Sequence, residues 1–112
     1  MCLFCKIANK EIPATIAYED EDAVAFHDIN PAAPKHVLVI PRKHIASLTD
    51  MTDADTPLLG KLLAVARRVA EAEGLTGSGF RVVLNTGPHA GQSVFHVHVH
   101  VLGGRLMAWP PG

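Results

Sequence analysis

The chain has 112 residues, the length of one domain, read here as residues 1–112; with 48% hydrophobic and 19% charged residues it can bury a core without many crosslinks. A formal net charge of −1 excludes the broad phosphate neutralisation on which nucleic-acid binding rests, although a few local donors suffice for a mononucleotide. No apolar run approaches the roughly 20 residues of a membrane span, and the N-terminus lacks a signal peptide's basic and long apolar regions, so a cytoplasmic protein without membrane partners is expected.

In chain order, Cys2-Leu3-Phe4-Cys5 has the spacing of half a zinc site. In a reducing compartment its thiols are metal ligands or free, and a thioredoxin-like role is disfavoured because the motif does not lie between a strand and a helix. Two short apolar stretches, 14–18 and 23–27, flank the acidic run Glu19-Asp20-Glu21-Asp22 and predict a hairpin with a solvated turn. The run 36–40 is a third strand, bounded by proline on both sides. Thr52 and Asp55 resemble a capping box, Pro57 sits in the permissive first turn, and apolar residues recur at spacings of three and four as far as Ala70. A long helix with one buried face is therefore predicted between Thr52 and a cap at Gly74. Strands over 80–85 and 93–102, joined by a glycine-containing loop, complete an α+β domain with a largely antiparallel sheet of five strands.

The last strand carries the most specific pattern. His96, His98 and His100 alternate with Val97, Val99 and Val101, so a period of two places three imidazoles on one face and the valines on the other. At about 3.3 Å per residue the neighbouring histidines are roughly 6 to 7 Å apart, which excludes three ligands on one ion for a straight strand. Histidine suits attack on phosphorus, because its neutral form is nucleophilic near pH 7 and its cation pairs with phosphate oxygens. The plainer alternative is a solvent-facing histidine-rich sheet face or metal tract. His44, after the third strand, is a further ligand for Cys2 and Cys5 if they hold a metal.

The segment Gly91-Gln92-Ser93-Val94-Phe95-His96-Val97-His98-Val99-His100-Val101-Leu102 resembles the signature of the histidine triad family. Phe26-His27-Asp28-Ile29, Pro34 to Pro41, Asn85 and the Trp109-Pro110-Pro111-Gly112 ending extend the likeness to its Hint branch. The resemblance implies a HIT-like fold whose sheet continues across a homodimer. It also implies hydrolysis of the P–N bond in purine nucleoside 5′-phosphoramidates such as AMP-NH2 or AMP-lysine.

By the same resemblance His98 is the nucleophile, His100 donates to a nonbridging phosphate oxygen, His36 supports the triad, and Ser93 assists the leaving amine. Asp28 matches the position that binds the ribose hydroxyls; Phe26, His27 and Ile29 match the base pocket, and Asn85 a residue near ribose and phosphate. Gly91, Gln92, Ser93 and Val94 would offer the phosphate loop, where a missing side chain lets backbone donors approach. Some bacterial relatives place structural zinc on residues matching Cys2, Cys5, His44 and His96. Plainer readings stand beside these: Asp28 as a turn residue, the apolar walls as core, the loop as an ordinary connection. Trp109, at the chain end, is an exposed aromatic unless it packs on something such as a partner subunit. Competing functions are a nucleotide-binding regulatory module with incidental turnover and a dinucleoside polyphosphate hydrolase.

Overall fold

The computed structural model describes residues 2–112; Met1, the first residue of the expected 1–112 domain, lies outside the described residues. Strands Ile16–Glu19 (β1), Ala23–His27 (β2), Lys35–Pro41 (β3), Phe80–Val83 (β4) and Val99–Gly103 (β5) form one antiparallel sheet in the order β1-β2-β3-β5-β4. Helix Leu3–Ala8 (α1) covers one face and helix Thr56–Ala72 (α2) the other. No helix among the described residues is long and apolar enough to cross a membrane.

Alternation along the strands sorts the two faces. Val37 and Val39 of β3 and Val99 and Val101 of β5 meet Leu62, Val65, Ala66 and Val69 of α2, all at most 2% exposed. The opposite face carries Val24, Phe26, Leu38 and Ile40 against Phe4, Ile7 and Ala8 of α1. Cross-strand register places Phe26 opposite Leu38 and Leu38 opposite His100, so one row across three strands lies under α1. The histidine side chain is thereby delivered to the α1 face by the same period that sends the valines to α2.

The turns explain the elements' ends. Asp20 accepts from the backbone amides of Asp22 and Ala23 at 2.8 and 2.9 Å, from the Tyr18 hydroxyl at 2.7 Å, and pairs with Lys61 at 2.9 Å. Burial alone would raise its carboxyl pKa, but these donors outweigh it and hold the group far below the usual carboxylate range. The Thr52–Asp55 capping box forms as the spacing predicts, although Asp53–Asp55 is a turn of 3-10 helix and the α-helix begins only at Thr56. At the other end the Gly74 amide donates to Glu71 and the Leu75 amide to Ala70, a Schellman closure that needs the positive φ of Gly74 and buries Leu75.

Two expectations are corrected. The strand expected over 80–85 ends at Val83. The one expected over 93–102 begins only at Val99, because His96 and His98 bond through their side chains to carbonyls of Pro41 and His96, and the Val97 amide donates to Ile45 outside the ladder. The three imidazoles therefore do not share a strand face. Helix α1 is a further element, lying outside every predicted one.

Candidate functional site

A cleft of about 390 Å³ opens between α1 and the sheet, lined by Leu3, Phe4, Ile7 and Ile12 on one side and by Phe26, Leu38, Val94, His98 and His100 on the other. His27, Asp28, Ile29 and Ser93 also border it. A larger groove of about 550 Å³ beside Leu75, Phe80 and Leu106 contains two arginines but no histidine, cysteine or acidic side chain, whereas the smaller cleft gathers His98, His100 and Asp28.

Hydrogen-bond partners assign the imidazole protons in it. His98 Nδ1 lies 2.8 Å from the His96 carbonyl oxygen, which only accepts, so Nδ1 carries the proton and Nε2 of the neutral ring keeps a lone pair. The backbone amide of Ala32 donates to His36 Nδ1 at 3.0 Å, so the proton of neutral His36 is on Nε2, which donates to His100 Nδ1 at 2.9 Å. His100 is then left with its own proton on Nε2, and that atom is buried with no partner. An unpaired buried donor costs free energy unless something fills the cleft. Burial, then the neighbouring His98 and His36, pushes His100 down to about 4, and burial lowers His36 despite Asp28 at 3.5 Å. Both rings are neutral near pH 7. The cleft therefore pairs a nucleophilic nitrogen with a neutral N–H donor, on rings whose centroids are 5.0 Å apart.

Asp28 also accepts from the Asn30 amide at 2.8 Å, an Asx turn that fixes its carboxylate at the cleft edge. Ile29 is 91% exposed, so it is a rim and not a wall. The α1 wall was missed from sequence: Phe4, 5% exposed, packs edge-on against His98 at 5.1 Å and Phe26 at 5.4 Å between centroids. The spacing of Phe4, Ile7 and Ala8 is its local signal, a weak one because the helix runs for less than two turns.

Other residues singled out in the sequence stand apart. Asn85 lies beyond β4 and does not line the cleft, nor do Gly91 and Gln92. Gly91 takes a left-handed conformation, φ 82°, that closes the loop turn. The Gln92 side chain is buried and consumed by the loop itself, donating to the carbonyls of Ala46 and Val94 and accepting from the Gly87 amide.

Behind the cleft is a second cluster. His96 Nε2–H donates to the Pro41 carbonyl at 2.8 Å, so the lone pair is on Nδ1. That nitrogen lies 3.4 Å from Cys2 Sγ, 3.5 Å from Cys5 Sγ and 3.1 Å from His44 Nδ1, and Cys5 Sγ is 3.4 Å from His44 Nδ1. With metal–ligand distances of about 2.0 to 2.3 Å, a tetrahedral ion separates its ligands by roughly 3.3 to 3.8 Å, so the four atoms fit the edges of such a site. The His96–carbonyl bond supplies the orienting partner that ligating histidines have. Burial, then the adjacent Cys2, raises the Cys5 thiol, so ligation would have to displace its proton.

Comparison with known proteins converges on one family. The model of the HIT domain matches residues 9–107. A crystal structure of a HIT family hydrolase from Legionella pneumophila is 54% identical, with a TM-score of 0.98 and 100% of each chain covered. The 14 kDa zinc-binding protein of Zea mays is 53% identical over 112 residues, 98% of this chain and 87% of that protein. A histidine triad nucleotide-binding protein from Candida albicans is 34% identical with a TM-score of 0.84, covering 98% of this chain and 83% of that one. The antiparallel sheet with its one long helix is thus the HIT fold, and the chain belongs to the HIT domain family.

Proposed function

We propose that the chain, acting as one domain, is a hydrolase of purine nucleoside 5′-phosphoramidates that passes through a nucleotidyl-histidine. The observation that carries this reading is the complementary tautomer pair: a lone pair on His98 Nε2 beside an unpartnered Nε2–H on His100. His98 Nε2 attacks phosphorus and the P–N bond to the amine breaks, with Ser93 at the mouth assisting the amine's departure. Positive charge that develops on His98 is stabilised through Nδ1–H by the His96 carbonyl, while His100 donates to a nonbridging oxygen. Water then cleaves the nitrogen–phosphorus bond of the intermediate, releasing the nucleoside monophosphate and restoring His98.

The apolar walls of Phe4, Phe26 and Leu38 suit a purine, and Asp28 suits two ribose hydroxyls as a double acceptor. His27 and Ile29 border the base. Gly91, Gln92, Ser93 and Val94 contribute through the loop that precedes the histidines, Gln92 by bracing it, and Asn85 lies on the approach to that loop. The names of the Legionella and Candida relatives agree with hydrolysis and nucleotide binding respectively.

Zinc is the metal we assign to Cys2, Cys5, His44 and His96, in keeping with the name of the maize relative. With four protein ligands it would be structural, tying α1 to the segment before β5. The protein is also proposed to form a homodimer: β4 is a sheet edge with Phe80 and Val82 partly exposed, and Trp109 is 81% exposed. Light scattering at micromolar concentration should give twice the chain mass, and a monomer mass would remove this part. Rates on a purine phosphoramidate and on a dinucleoside polyphosphate, measured side by side, test the substrate class; faster turnover of the second would replace the proposal.

A further inference from the structure

Helix α1 does two things at once: its residues Phe4 and Ile7 wall the cleft, and the cysteines one turn apart reach His96. The helix has six residues, too short to hold itself, since isolated helices under about 12 residues are marginal in water. Its position therefore depends on docking. Cys2 caps the helix in an extended conformation, yet its side chain makes no cap bond and is directed to His96 instead. Phe4, between the two cysteines in sequence, lies edge-on to both His96 and His98. The His96 carbonyl in turn holds the His98 proton. Thiol chemistry at this helix is thus two contacts from the cleft's nucleophilic nitrogen.

We propose that Cys2 and Cys5 form a reversible disulfide that acts as a latch on the cleft. Both sulfurs surround the same nitrogen and lie within 4.8 Å of each other, on a helical turn that brings residues three apart onto one side. Both side chains are only half buried, so a small oxidant reaches them. The oxidant is a low-molecular-weight disulfide such as oxidised glutathione. One protein thiolate attacks it and releases one small thiol; the second protein thiolate then attacks the mixed disulfide and releases the other. Two protein sulfurs are oxidised and one external disulfide is reduced; from free thiols both protons leave on the small thiols, and from zinc-bound thiolates the ion is released as Zn2+ while the small thiolates take their protons from water.

The consequence follows from what a disulfide lacks. It has no S–H to donate and no thiolate to ligate a metal, so His96 Nδ1 loses both sulfurs as partners and keeps only the exposed His44. The packing of Phe4, Ile7 and Ala8 and the 2.8 Å bond from the Arg42 guanidinium to the Ala8 carbonyl still hold the C-terminal end of α1, so it is the first turn, where Phe4 walls the cleft, that loosens. The effect on nucleotide affinity rests on the proposed function; the effect on α1 and His98 does not.

The test treats the purified full chain with oxidised glutathione and reads three quantities. Intact mass should fall by two hydrogens without a glutathione adduct. Amide exchange over residues 3–8 should accelerate and the His98 ring signals should shift in NMR, both reversed by dithiothreitol. The AMP dissociation constant should rise about tenfold. The double variant Cys2→Ser/Cys5→Ser should show none of these oxidant-dependent changes. A persistent glutathione adduct, or a disulfide that leaves exchange and His98 signals unchanged, overturns the latch. If the reduced protein does not bind AMP while exchange and His98 still respond, the latch stands and the nucleotide reading fails.

Discussion

His98 Nδ1–H donates to the carbonyl oxygen of His96 across 2.8 Å between nitrogen and oxygen, and this one bond fixes which nitrogen of His98 is free to react. The same peptide connects the cleft to the metal-type cluster, because the His96 ring is fixed by Pro41 and faces Cys2 and Cys5. Consequences for activity and stability follow from these two anchors and from the core beneath them.

His100→Ala removes the buried, unpartnered donor of the cleft. Its loss should lower kcat on the order of 10²- to 10³-fold, the usual cost of deleting a donor to developing oxyanion charge. His36→Asn acts one step back, by freeing the His100 tautomer, and should cost about 10- to 100-fold. Single-turnover rates on a phosphoramidate check the order; a larger loss in the His36 variant would contradict the relay from Ala32 through His36 to His100.

Acid should destabilise the fold through the same rings. His36 and His100 have folded pKa values below 6.5, His100 at about 4, so the unfolded chain binds more protons than the folded one as pH falls. Their stabilising contribution is complete above about pH 6.5 and is lost progressively between there and about pH 4. Thermal melts across that window should show Tm falling, with a shallower slope in a His100→Phe variant. An unchanged slope would mean the burial of His100 is not coupled to folding.

The metal assignment predicts one zinc per chain by native mass spectrometry of protein purified without chelator. Removing it, or making Cys5→Ser, should lower Tm and speed proteolysis within α1. Full metal-free mass together with unaltered stability would dismiss the cluster as a ligand set.

Leu62, fully buried between α2 and the sheet, should cost about 2–5 kcal/mol as Leu62→Ala in urea denaturation. A cost below about 1 kcal/mol would indicate that α2 repacks freely.

Much of this architecture is legible in the amino-acid sequence alone. The Thr52–Asp55 box, Pro57 and Gly74 mark α2 because caps are local chemistry, and the strict alternation of Val97, Val99 and Val101 correctly reports their complete burial. The limit appears one residue earlier. A period of two cannot tell a laddered strand from an extended segment held by its own histidine side chains, so the stretch from Ser93 to His98 reads as strand and is not. Helix α1 escapes because six residues give less than two turns of periodicity, and its stability comes from distant partners such as Phe26. The meeting of Cys2, Cys5 and His44 at His96 is likewise long-range; spacing supplies half a site, and only the fold supplies the other half. Gln92 shows the reverse case, a polar residue beside the triad whose amide is spent on its own loop.

The most direct test of the account is the rate of AMP formation from a purine nucleoside phosphoramidate by the wild type and by His98→Asn, with acid-stable mass mapping of quenched wild-type protein avoided in favour of rapid neutral or alkaline quench, since a phosphorus–nitrogen bond to imidazole is acid-labile. A nucleotidyl adduct on His98 and a loss on the order of 10³-fold or more in the variant are expected. Equal rates in the two proteins, with no adduct on His98, would contradict the assignment of His98 as nucleophile.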